Sequence, residues 1–147
     1  MAISDNRIGK YKPSGGQLRD FIVGTGQVIY NQVLVGLTAS GDLVPLIDNV
    51  TDTVALCVGV AVLSGGEITG DGSLTARVDI GGAEILVDHD TGSLTIANIG
   101  DSVLSGTDEG SVDDATGSGD DVPVGVIINV PSATTCWVKC RPYGTQS

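Results

Sequence analysis

The sequence predicts an all-β fold, a small β-barrel or sandwich built from two similar halves, with an extended N-terminal arm and little or no helix. Three observations carry that expectation. Val and Ile total 31 residues against 11 Leu and three Glu, a composition that suits pleated strands better than helices. Twenty-two Gly punctuate the 147 residues, within separators such as Ser-Gly-Asp, Ser-Gly-Gly and Gly-Asp-Gly that fit turns. No window holds apolar residues at i, i+3, i+4 and i+7 between caps, and the most helix-like stretch is one short turn over residues 49–56, after Pro45.

In chain order, the first segment is set apart by charge. Arg7, Lys10, Lys12 and Arg19 face a single acid, Asp5, in the first nineteen residues, giving +3 there and leaving −14 for the remainder of a chain whose net charge is −11. Lys12-Pro13-Ser14-Gly15-Gly16 reads as a hinge, since Pro and Gly resist helix and add no packing. Residues 1–16 are therefore expected to form a flexible arm on a single β domain over 17–147, and removing them is expected to leave the fold intact. Apolar runs of strand character follow at 21–23, 28–37, 54–63, 74–80, 83–87, 122–130 and 136–140. Short strands at this spacing favour a barrel or sandwich, which hide or shorten exposed edges.

An internal echo divides the body. Gly26-Gln27-Val28-Ile29-Tyr30, Leu43-Val44-Pro45, Val58-Gly59-Val60 and Ala76-Arg77-Val78-Asp79 run parallel to Gly100-Asp101-Ser102-Val103-Leu104, Ser111-Val112-Asp113, Val124-Gly125-Val126 and Cys136-Trp137-Val138-Lys139. The repeat is expected roughly over 21–80 and 96–140. Gly59 and Gly125 fall inside strands, where a glycine marks a bulge or a barrel corner.

Composition also excludes functions. Aromatic residues make up 3% of the chain, too few for a base-stacking platform, and the acidic excess repels phosphate backbones and anionic lipid. Neither nucleic acid nor a membrane is an expected partner, and the chain carries no apolar run of membrane-spanning or signal-peptide length. Cys57, Cys136 and Cys140 form no CxxC pair and read as small buried apolar residues. In a strand Cys136 and Cys140 stand about 13 Å apart, too far to bridge each other, while a Cys57 to Cys136 bridge between the two halves stays open. Trp137 reads as a core or interface anchor.

Four motifs resemble chemistry. Gly100-Asp101-Ser102-Val103 is similar to the opening of an esterase family with a serine nucleophile, but the single histidine, His89, lies upstream of it. Asp88-His89-Asp90 offers metal ligands, yet alternation along a strand turns His89 away from both acids, and Thr91-Gly92 after it suits a hairpin turn. The acidic stretch 108–121 lacks the ligand order of an EF-hand and reads as a solvated loop. Gly24-Thr25-Gly26 lacks the third glycine and the helix of a dinucleotide fingerprint. No catalytic, cofactor-binding or metal-ligating set is therefore expected, and no enzyme activity.

The polar arm, the glycine-punctuated β body, the two Val-Gly-Val strands with their following strands, and Gly100-Asp101-Ser102-Val103-Leu104-Ser105 together resemble the small head decoration, or capsid cement, proteins of tailed phages. The likeness to their lambda-like, β-rich type covers most of residues 17–142. It implies a structural virion protein without cofactor or activity, bound to the outer surface of the expanded capsid as a trimer and stabilising it. The implied partners are the major capsid protein and further copies of the chain, and the implied location is the capsid exterior after synthesis in the host cytoplasm. It also implies that the N-terminal segment orders on the shell. Physically, an extended arm adds backbone hydrogen bonds to a sheet edge, with Ile8 and Tyr11 as apolar contacts and Arg7, Lys10 and Lys12 meeting acidic groups. A tail-tube or head-fibre component and a glycan-binding β module are the alternatives.

Overall fold

Runs of β-branched residues broken by glycine turns build an all-β chain. The computed structural model describes residues 6–7, 9–47, 54, 56–114 and 122–143. The strands among them are β1 (Tyr11–Lys12), β2 (Leu18–Ile22), β3 (Val28–Ile29), β4 (Leu34–Leu37), β5 (Leu43–Pro45), β6 (Leu56–Ala61), β7 (Ile68–Thr69), β8 (Thr75–Asp79), β9 (Glu84–His89), β10 (Ser102–Ser105), β11 (Ser111–Asp114), β12 (Pro123–Asn129) and β13 (Thr135–Cys140). One 3-10 turn at Ile96–Asn98 carries a reciprocal cap between Thr95 and Asn98. Most of the stretch 49–56, read above as a helical turn, lies outside the described residues.

The strands form two rings of like topology. In the second ring β9, β11, β10, β12 and β13 follow one another and β13 returns to β9, closing a five-stranded barrel. In the first, β2, β8, β6, β4 and β5 form a sheet, and its ends meet where Val23 bridges Leu43 in parallel and Gly24 N–H donates to Leu43 O at 2.9 Å. β11 likewise runs parallel to β9, and Asp90 N–H donates to Val112 O at 2.8 Å. The register matches as well: Leu18 opposes Asp79 and Ile22 opposes Thr75, as Glu84 opposes Lys139 and Asp88 opposes Thr135.

A bulge recurs at the same place in both rings. The pairing slips between Val35 and Gly36 opposite Gly59 and Cys57, and between Val103 and Leu104 opposite Gly125 and Pro123. At the bulge the neighbouring strand crosses the backbone closely. A Cβ on Gly59 would stand 2.1 Å from Asp79 O, and one on Gly125 would stand 2.0 Å from Lys139 O. Gly59 also has φ of 146°, which L side chains rarely adopt.

The correspondence differs from the sequence echo at two places. The run 28–37 is divided by Gln32, at φ of 57°, into β3, which pairs aside with β7, and β4, which enters the ring. The counterpart of β10 is therefore β4, and Gly26–Tyr30 has no counterpart at Gly100. The second set of ring strands also begins at Glu84, because β9 occupies the place of β2.

Alternation fills the rings with side chains. Val23, Val35, Leu37, Leu43, Val58, Ala76 and Val78 pack together in one buried cluster. Ile85, Val87, Val103, Val112, Val124, Ile127, Cys136 and Val138 belong to the other, together with Leu34, Val44, Leu46, Cys57 and Val60 from the first ring. Residues 34 and 35, or 43 and 44, point to opposite faces, so β4 and β5 fill their own ring with one face and serve the second core with the other. The rings share apolar surface as parts of one folding unit.

Candidate interaction surface

The described part of the N-terminal segment is seated on the body, contrary to the expectation of a free arm. β1 lies antiparallel on β9, with Tyr11 opposite Ile85 and Lys12 opposite Glu84. Leu86 N–H donates to Lys10 O at 2.7 Å, and further along the same edge Asp88 N–H donates to Gly110 O at 3.0 Å. β1 thus continues the line of β11 along the open side of β9. Between them Leu86 O accepts from Arg7 Nη2, so a guanidinium completes the edge where neither strand reaches.

A buried carboxylate of the body holds the segment through neutral hydroxyl and amide donors. Asp79, 2% exposed, receives Tyr11 OH at 2.7 Å and Ser14 N–H at 2.9 Å on Oδ2, and Ser14 Oγ at 2.6 Å and Gly81 N–H at 3.1 Å on Oδ1. Burial alone would raise its pKa, but the bonds from Ser14, Tyr11 and Gly81 outweigh it and hold the carboxyl below the usual range. Burial, together with this carboxylate, pushes the Tyr11 hydroxyl up. Burial lowers the pKa of Arg7, with Asp88, Asp108 and Glu109 acting the other way. Its Nη1 is buried and has no hydrogen-bond partner among the described residues.

The remaining residues assigned to the arm also meet the body. Lys10 N–H donates to the side-chain oxygen of Gln32 at 2.7 Å. Lys12 Nζ stands 4.5 Å over the ring of Trp137, so Trp137 is a half-buried platform on the outside of the second ring. Ile8 lies outside the described residues. Sequence reasoning missed Asp79: strand alternation places it on the outward phase with Arg77, and it is buried because the N-terminal segment lies over it.

The esterase-like residues share a cleft of about 570 Å³ lined by His89, Asp101, Ser102 and Asp114 among others. Thr91 N–H donates to His89 Nδ1 at 3.3 Å and Thr91 Oγ1 stands 3.0 Å from the same nitrogen, so this side of the ring is engaged by its own turn. In a serine triad that nitrogen instead carries a proton held by a carboxylate. Among the described residues Nδ1 meets Thr91 and no carboxylate.

Along β9, Asp88 is exposed and His89 buried, facing opposite ways. Asp90 accepts from Thr107 N–H at 3.0 Å and Thr107 Oγ1 at 3.2 Å, anchoring the loop before β11. Gly92 N–H closes a turn onto His89 O at 3.1 Å, but the turn is no hairpin, because the next strand, β10, pairs with β11 and β12. Of the acidic stretch 108–121, residues 111–114 form β11, and 115–121 lie outside the described residues. Among the described residues no group of three His, Cys, Asp or Glu is placed to hold a metal ion.

The three cysteines are buried free thiols. Burial pushes Cys57 up to about 12 and Cys136 up to about 11, and it raises Cys140 as well. No protein-family model, curated protein or solved structure matches this chain.

Proposed function

We propose that the chain is a structural virion protein that binds the outer surface of the expanded capsid of a tailed phage and stabilises it as a trimer, with the major capsid protein as its partner. The observation that carries this reading is the basic N-terminal strand at the rim of an acidic two-ring body. Backbone and buried polar contacts hold β1 in place, and the side chains of Lys10 and Lys12 remain at least partly exposed for a second, acidic surface. A body of two rings with a shared core has the rigidity that reinforcement of a shell requires. The resemblance of the glycine-punctuated strands to decoration proteins supports the same role.

Co-sedimentation with expanded, undecorated shells of the cognate phage tests the proposal. Saturable binding at a fixed ratio to capsid subunits is the expected result, weakened by added salt and by Lys10→Glu with Lys12→Glu. Absence of binding by the full chain at low salt overturns it.

A further inference from the structure

We propose that the open edge of β2 is a homotypic contact, through which two copies pair antiparallel over Leu18–Ile22 about a two-fold axis at Asp20. The first observation is the hydrogen bonding of β2. Val23 N–H donates to Leu74 O, and Gln17 O accepts from Ile80 N–H, so the odd-numbered residues direct their backbone toward β8. The even-numbered residues face the other way. Gly24 N–H finds Leu43 O there, but β8 is the strand partner of β2 among the described residues, so the amides of Leu18, Asp20 and Ile22 face no strand of the described chain.

The second observation is the matching edge of the other ring. Glu84, Leu86 and Asp88 of β9 stand at the positions of Leu18, Asp20 and Ile22, and β1 and β11 cover them. Among the described residues this fold thus caps that edge with an added strand in one ring and leaves it without one in the other. The bare edge is apolar as well as unpaired, with Leu18 52% and Ile22 46% exposed.

The third observation selects a second copy as the occupant. With backbone groups of residue 20 directed outward, antiparallel pairing about Asp20 sets Leu18 against Ile22 of the second copy on one face, twice over. On the other face Arg19 meets Phe21 of the second copy, extending the cation–ring contact that Arg19 already makes at 5.5 Å with its own Phe21. The two Asp20 side chains come together, but each is held by its own Arg77, Nε to Oδ1 at 3.1 Å. Five residues per copy form less than a standard interface, so the pairing depends on concentration.

Sedimentation of the full chain without shells tests the contact apart from the function proposed above. Doubling of the mass of the sedimenting unit with rising concentration is expected, with slower amide exchange at Leu18, Asp20 and Ile22. Leu18→Lys with Ile22→Lys, and Leu18→Glu with Ile22→Glu, are each expected to weaken doubling by about tenfold or more, because like charges then stand opposite. Mixing the two variants is expected to restore it. Unchanged exchange at the three amides up to millimolar concentration overturns the inference, as does a mixture that pairs no better than either variant alone.

Discussion

Asp79 holds the N-terminal segment down, and its environment makes that grip sensitive to pH. With three donor groups from Tyr11 and Ser14 on one carboxylate, Asp79→Ala is expected to lower stability by about 2–4 kcal/mol, and Tyr11→Phe by about 1 kcal/mol, in denaturant unfolding. A carboxyl whose folded pKa is depressed contributes stability that is fully present above the unfolded value of about 3.9 and is lost as pH falls through the folded one. The β1 amides are therefore expected to lose exchange protection below about pH 4, and Asp79→Asn to flatten that dependence. Cys57 and Cys136, with pKa values raised by burial, are expected to resist a thiol reagent at neutral pH until the chain unfolds. The burial of the cysteines was legible from their odd number and the lack of a CxxC pair. That of Asp79 was not, since its place in Ala76-Arg77-Val78-Asp79 puts it on the solvent phase and only a segment more than sixty residues away covers it. The contacts of the His89 imidazole were equally illegible, because they come from a turn residue two positions on.

At the level of the strand, the recurring bulge makes the strongest demand on sequence. Gly59→Ala and Gly125→Ala each place a methyl group against a backbone oxygen of the adjacent strand, and the backbone can yield only by opening the ladder. Each is expected to destabilise by about 3 kcal/mol or more, with similar loss at the two sites, measured as the shift in denaturant midpoint. The apolar runs at 54–63, 74–80, 83–87, 122–130 and 136–140 mark β6, β8, β9, β12 and β13, whose buried faces declare themselves as Val and Ile. β11 reads Ser-Val-Asp-Asp, which the repeat and not an apolar run marks, and it is a strand because antiparallel pairing with β10 and parallel pairing with β9 supply its hydrogen bonds. β1 was hidden, since two residues before a proline carry no periodicity. Gln32 shows the converse, where one positive φ divides a continuous apolar run in two.

Across the whole molecule, two rings of one topology are joined by side chains from the first that complete the core of the second, and a strand from the chain's beginning completes the second ring's edge. The Val-Gly-Val strands carried the likeness of the halves in plain sight. The charge boundary near residue 19 suggested separation, whereas in the structure strand pairing with β9 and the donors of Tyr11 and Ser14 on Asp79 hold the segment on the body. The most direct measurement is thermal unfolding of the full chain beside a variant lacking residues 1–16, followed by amide exchange on β9. A segment that is part of the fold predicts a melting temperature lower by about 10 °C in the truncated chain and faster exchange at Leu86, whose partner on Lys10 is gone. An unchanged melting temperature with unchanged protection at Leu86 would contradict the account and return residues 1–16 to the status of a free arm.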